Sequence, residues 1–301
     1  MILRRGAALL WSIVALGVVS RFAAGVGADQ LSPTAADLRA QFERRVADIA
    51  SHVDGVVGYE ILDLTSGDRI GRLETAIFPT ASTIKLAVVY ELFKQAEEGK
   101  IRLDEMVPLD RSKAVGGTGV LAELGTPTLS IRDYATLMVV LSDNTATNVL
   151  IDRLAIDNIN RRLRSVGLAE TRLRRRMMDT DAARRGEENV SSPAEIVRLL
   201  DIIRKERPDA IALLKRPKQS RLRRGLPERV DAADKPGELE GVRVDAGVVF
   251  ARNRPYILCV MTTFLKNEAD GERAIEEISR TAYEYFSRLG AGGSLGRQLR
   301  R

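Results

Sequence analysis

The chain is nearly without the two side chains on which enzymes most often build a reactive centre. It holds one histidine, His52, and one cysteine, Cys259, in 301 residues. His52 sits beside the Val53-Asp54-Gly55 turn, away from every serine motif, so a serine–histidine–aspartate relay has no base. One histidine and one cysteine are too few ligands for a catalytic zinc site of the usual kind, so no metal is expected. Cys259 cannot close an internal disulfide, and its surroundings, Tyr256 to Met261, read as a buried strand. Aromatics are 5% of the chain, leaving little surface for stacking bases. Nucleic acid is therefore not an expected partner. The basic clusters Arg172 to Arg176 and Lys215 to Arg224 read as solvated faces, or as contacts for phosphate or an anionic surface. The apolar stretch Ala7 to Val19 falls short of the roughly 20 residues that span a membrane, and Arg21 follows closely.

That stretch has another use. Arg4 and Arg5, the apolar core and Val26-Gly27-Ala28 follow the order of a secretory signal, with cleavage expected after Ala28. Residues 1–28 are then a leader, the mature protein is secreted or periplasmic, and the membrane is met through this segment alone; an uncleaved anchor is the alternative. Half of the net charge of +6 lies in Arg4, Arg5 and Arg21. With a basic tail at residues 291–301, the folded body is left near neutral.

Hydrophobic residues make up 45% of the sequence, enough for a substantial core. Leu38, Phe42, Val46 and Ile49 recur at helical spacing after a Ser32-Pro33-Thr34 start. Val56 to Leu64 and Arg69 to Ile77 read as a hairpin of strands around Thr65-Ser66-Gly67-Asp68. From Ser82 to about Leu222 the pattern is helical, with helices expected over Lys85–Glu98, Ile131–Leu141, Thr145–Leu154, Ile156–Val166 and Pro193–Arg204. Strands resume at Val242–Phe250 and Tyr256–Phe264. A closing helix carries Ile275, Ile278, Ala282, Phe286 and Leu289 on one stripe. The expected architecture is α/β with an all-helical subdomain: residues 29–81 and 223–290 build an antiparallel sheet flanked by the N- and C-terminal helices, and residues 82–222 are the helical insertion.

Three short motifs carry the chemistry. In Ser82-Thr83-Ile84-Lys85, residues three apart share a helix face, so Lys85 stands beside Ser82 and can take or relay its proton. In Ser142-Asp143-Asn144, an extended or tight-loop backbone aims Ser142 and Asn144 to one side, one to pass a proton and the other to hold a substrate carbonyl, while Asp143 points away and serves structure. In Lys235-Pro236-Gly237, the lysine supplies positive charge for an anionic substrate and the glycine lets a peptide-like ligand approach a strand edge; an exposed turn before a strand is the competing reading. Arg243, opposite the valines of Val242-Arg243-Val244, is a candidate to pair with a substrate carboxylate. The backbone N–H of Ser82, at a positive helix end, is a candidate oxyanion donor.

These motifs, in this order, resemble the signature of class A β-lactamases and penicillin-binding proteins. Phe78-Pro79-Thr80-Ala81, Gly117-Thr118-Gly119-Val120-Leu121 and Leu137-Met138 look like family surroundings, and the resemblance runs from about Ala35 to Leu289. It implies a serine hydrolase, acting as a monomer without cofactor, that opens a β-lactam through an acyl-enzyme on Ser82. A second oxyanion donor near Glu238 or Leu239 is implied too. The chain departs from the family at two places. Pro236 stands where a hydroxyl residue is usual, and Met177 falls near the position of the glutamate that holds the deacylating water. Asp179, Asp181, Glu187 and Glu188 are the substitutes within reach in sequence. Two other functions stay open: acyl transfer on cell-wall peptides or small esters, and a penicillin-binding protein that deacylates slowly or merely docks a peptidoglycan-like ligand.

Overall fold

The computed structural model describes residues 32–292 and Gly296. The expected leader with its cleavage point after Ala28, and Arg297, Arg300 and Arg301 of the basic tail, lie outside these residues. Helix α1 (Pro33–Ser51) starts at its sequence cap: Ser32 Oγ accepts from the Ala35 N–H at 3.3 Å, and Pro33 sits in the first turn, where its missing N–H costs nothing. Strand β1 (Val56–Asp63) turns into β2 (Arg69–Arg72). The expected strand to Ile77 stops at Arg72 because Leu73 takes φ +48° and the Ala76 N–H turns back onto the Leu73 carbonyl at 3.0 Å. Strand β3 (Phe78–Pro79) leads into a 3-10 turn, Ala81–Ile84, and then helix α2 (Lys85–Glu97).

Strands β4 (Met106–Pro108) and β5 (Thr128–Ser130) form a small ladder before α3 (Ile131–Val140), whose Ser130 and Asp133 make a reciprocal capping box. Helices α4 (Asn144–Leu154), α5 (Ile156–Ser165) and α6 (Thr180–Arg184) follow, then β6 (Val190–Ser191), paired with β3, and helices α7 (Pro193–Glu206), α8 (Pro208–Leu214) and α9 (Arg221–Arg224). The short strands β4, β5 and β6 lie in the segment whose pattern reads as helical, and β3 lies just before it. The chain closes with β7 (Ala232–Leu239), β8 (Val242–Val249), β9 (Tyr256–Thr263) and α10 (Glu268–Ala291). Lys235-Pro236-Gly237, readable as a turn before a strand, lies inside β7.

The main sheet is antiparallel throughout, in the order β2-β1-β9-β8-β7. Its central pair joins β1 to β9, so strands from both ends of the sequence meet, and β7 is left at the edge. Pro236, which has no N–H for a ladder, is accommodated on that edge strand. One face is covered by α1 and α10 through Val46, Ile275 and Ile278, with Phe42 stacked on Tyr285 at 4.6 Å and Tyr256 on Phe286 at 4.4 Å. On the other face, Val244, Val248 and Ile257 share a core with α2 and with Ile196 and Leu200 of α7. Each of these large apolar side chains contributes about 1.5–3 kcal/mol by leaving water. Helix α2 is buried at every residue from Lys85 to Phe93, the pattern of a helix enclosed on all sides. Enclosure of α2 carries the Lys85 side chain into the interior. No helix of the described residues is long and apolar enough to cross a membrane.

Candidate active site

The sheet edge and the helices meet at a cavity of about 910 Å³ lined by Ser82, Ser142, Asn144, Lys235, Gly237 and Met177 among others. Ser82 sits in the 3-10 turn, one residue ahead of which Ala81 takes φ +47°. Thr83 ties the turn to the sheet, its hydroxyl donating to the Lys235 carbonyl at 3.1 Å. Gly237 lies against the same turn. A Cβ there would come within 2.8 Å of the Ser82 nitrogen and the Thr80 carbonyl oxygen and 2.9 Å of the Thr83 nitrogen. The glycine therefore brings the strand and the Ser82 turn into contact, a packing constraint beside the ligand approach that its sequence context suggests.

Ser142 is the hub of the polar network. It joins α3 to α4 with φ +54°, and its carbonyl accepts from Lys85 Nζ at 2.6 Å and from the Thr118 hydroxyl at 2.7 Å. Its hydroxyl lies 3.1 Å from Lys85 Nζ and 3.1 Å from Lys235 Nζ, held between two amines. Lys85 also donates to Asn144 Oδ1 at 3.1 Å, and Asn144 donates to the Gly116 carbonyl at 3.1 Å. Ser142 and Asn144 do face one side, toward Lys85. Lys85 differs from expectation in one respect: among the described residues its amine hydrogen-bonds Ser142 and Asn144 and not the Ser82 hydroxyl, because burial leaves it seeking three acceptors, which the Ser142–Asn144 turn supplies.

Asp143 serves structure as expected. It is buried, caps α4 by accepting from the Ala146 N–H at 2.8 Å, and accepts from Val120 and Leu121 at 2.7 and 2.9 Å. A side chain on Gly119, which has φ +107°, would overlap this carboxylate. Burial pushes the Lys85 ammonium well below the usual lysine range, and the charge of Lys235 lowers it further. Burial also lowers Lys235, to about 8, with the Asp245 charge opposing. Behind Lys235, Asp245 is pushed up to about 7 by burial and by Asp234, although Ser220 Oγ and the Leu222 N–H donate to it at 2.9 and 3.0 Å.

Arg243 is not available to a substrate. Its guanidinium is engaged by Glu272 at 3.0 Å and Glu268 at 3.1 Å of α10 and by the Leu239 and Val242 carbonyls at 2.8 and 2.9 Å. Alternation correctly turned it away from the valines. The acids that occupy it lie on a helix too distant in sequence to foresee. The arginines that do line the cavity are Arg175, Arg221 and Arg224, from the two basic clusters.

The segment from Thr171 to Pro193 is held by buried amides. Asn148 of α4 clamps Met177 at both ends of its peptide unit, accepting from its N–H at 2.8 Å and donating to its carbonyl at 3.1 Å. Asn189 binds Arg174 and Arg175 in the same manner. Met177 is buried and lines the cavity. The acids weighed as substitutes are occupied: Asp179 caps α6, Asp181 pairs with Arg184, Glu187 with Arg185, and Glu188, at the cavity wall, with Arg175 at 2.9 Å. Among the described residues no cluster of three histidine, cysteine or acidic side chains is placed to hold a metal ion.

A family model described as the β-lactamase enzyme family matches residues 41–286. An imipenem-hydrolysing β-lactamase of Enterobacter cloacae is 25% identical over 255 residues, which are 79% of this chain and 87% of that protein. Among solved structures, a β-lactamase from Sphaerobacter thermophilus DSM 20745 superposes with a TM-score of 0.74 at 27% identity, covering 81% of this chain and 96% of the other. A single-residue variant of PBP-A, described as an acyl-enzyme complex with penicillin G, superposes with a TM-score of 0.75 at 26% identity, covering 84% and 97%. These structures share the antiparallel sheet with helices that this chain forms. The chain belongs to the β-lactamase enzyme family.

Proposed function

We propose that this protein is a secreted serine hydrolase of the class A type, which opens a β-lactam amide through an acyl-enzyme on Ser82. The observation that carries the reading is the Ser142 hydroxyl held between two buried amines. Lys85, its ammonium destabilised by burial, is the group that takes the Ser82 proton as Oγ attacks the lactam carbonyl carbon. In the neutral form its lone pair accepts the Ser82 proton, and once protonated it donates to the Ser142 carbonyl, Asn144 Oδ1 and the Ser142 hydroxyl. Ser142 then passes its proton to the departing lactam nitrogen and regains one from Lys85. Lys235 polarises Ser142 and offers its charge to a substrate carboxylate. The N–H groups of Ser82 and Glu238 receive the developing oxyanion, and the second amide proton of Asn144 holds the acyl-side carbonyl. Water releases the acyl group in the last step.

Slow release is favoured as a second reading by Met177, an apolar side chain on the wall where a base for water would stand. The acyl-enzyme would then persist, as in a penicillin-binding protein. One experiment separates the two. Mature protein is mixed with a chromogenic cephalosporin and colour is followed past one equivalent, with mass spectrometry of the adduct. A burst followed by continued release supports the hydrolase; a burst that stops at one equivalent on Ser82 supports the slow enzyme; no adduct defeats both.

A further inference from the structure

The wall of the cavity formed by β7 and α9 carries an ion pair that the chemistry above does not use. Glu238, the residue after Lys235-Pro236-Gly237, reaches across so that its Oε2 lies 2.6 Å from Arg221 Nη2. Both residues line the cavity. The Glu238 side chain is half-exposed while Arg221 is mostly covered. Arg221 also donates to Glu272 at 2.8 Å, yet its buried Nε finds no partner among the described residues. Glu272 stays anionic, for although burial raises it, hydrogen bonds from Arg221 and Arg243 hold it at about 2. Glu272 is thus a fixed structural partner of Arg221, and Glu238 is the removable one on the open side.

A guanidinium at a cavity wall, whose Nη2 meets a half-exposed carboxylate from the open side, is a receptor for a carboxylate. Here the chain fills that receptor with a carboxylate of its own. We propose that Glu238 is a resident mimic of a ligand carboxylate: it occupies Arg221 and turns the site toward acyl donors that are neutral or carry an amine at this end, and against those that present a carboxylate there. An incoming carboxylate has to displace Glu238 into water and then lie beside its charge, and juxtaposed like charges are a strong source of discrimination. Ligands without that group leave the pair intact. The inference takes from the preceding section only that the cavity binds ligand, and needs no acyl transfer.

The test is equilibrium binding by calorimetry to mature Ser82→Ala protein, with isophthalate and 3-carbamoylbenzoate as probes. They differ in one carboxylate, and each keeps one for Lys235. Adding Glu238→Gln is expected to tighten isophthalate by about tenfold or more while 3-carbamoylbenzoate changes less than about twofold. Adding Arg221→Gln as well is expected to cancel the gain, which a merely structural effect of Glu238 would not require. Thermal unfolding of each variant shows that it is folded. Equal effects on both probes, a gain that survives loss of Arg221, or failure of isophthalate to bind the Glu238→Gln protein overturns the proposal. Absence of adduct in the lactam experiment leaves this result untouched, so the two readings fail separately.

Discussion

Two walls of the cavity, the α3–α4 joint and the Thr171–Pro193 segment, are built by one device and differ in what they deliver. In both, a short polar side chain buried at the start or along α4 satisfies the backbone of an irregular stretch: Asp143 for Val120 and Leu121, Asn148 for Met177. Each stretch is thereby fixed closely enough to aim a side chain into the cavity. The first aims Ser142 and Asn144, which hydrogen-bond Lys85. The second aims a thioether. The same scaffolding device thus presents polar groups on one wall and an apolar one on the other.

The largest effects should come from Ser82 and Lys85, the latter hydrogen-bonded to the first wall. Ser82→Ala is expected to abolish the covalent adduct, and an adduct retained at full yield would place the nucleophile elsewhere. Lys85→Ala should keep the fold but slow acylation by about 10²–10⁴; stopped-flow traces that match the parent protein would remove Lys85 from proton transfer. The pH profile sharpens the same point. Acylation should rise as Lys85 loses its proton, below the ordinary lysine range, and fall as Lys235 loses its charge near pH 8. A flat profile through pH 8 would mean that the charge of Lys235 is not used.

On the second wall, Met177→Glu tests whether the scaffold lacks only a base. Deacylation is expected to speed up by about tenfold or more, with acylation little changed, because Asn148 would hold the new residue by the same backbone atoms. An unchanged release rate would show that the Met177 side chain does not face the acyl-ester. The smallest effect is expected behind the site. Asp245 keeps its proton to about pH 7 in the folded protein against an ordinary value of 3.8, so stability falls as pH rises through that window. Asp245→Asn should remove this fall and raise the melting temperature at pH 8 by roughly 2–4 °C, with little change at pH 4. Melting curves at the two pH values decide it.

Much of this was legible because its signals are local. The stripe Ile275, Ile278, Ala282 and Phe286, the Ser32 cap and the strands around Cys259 each depend on spacing within a few residues, and all are found as read. The serine and lysine motifs were legible in order, and the cavity gathers them. What sequence could not give are contacts fixed by partners far along the chain. Arg243 was read as open because nothing near it reveals Glu268 and Glu272. Lys85 was paired with Ser82 by helical spacing, while its strongest acceptors lie 57 residues on. Gly237 reads as room for a ligand until the nucleophile turn is seen packed against it. The role of Asn148 leaves no local signature, since an asparagine within a helix is as often solvated as buried.

The left-handed joint at Ser142 has a consequence for attempts to harden this protein. A non-glycine residue held there carries a backbone penalty of about 1–3 kcal/mol, countered by the same ammonium and hydroxyl that clamp its carbonyl. Replacing it with glycine would relax the joint and delete, in one step, the hydroxyl held between the two amines. Selection for durability alone would therefore drift toward losing the proposed proton path at this position, and libraries aimed at heat resistance should leave it fixed.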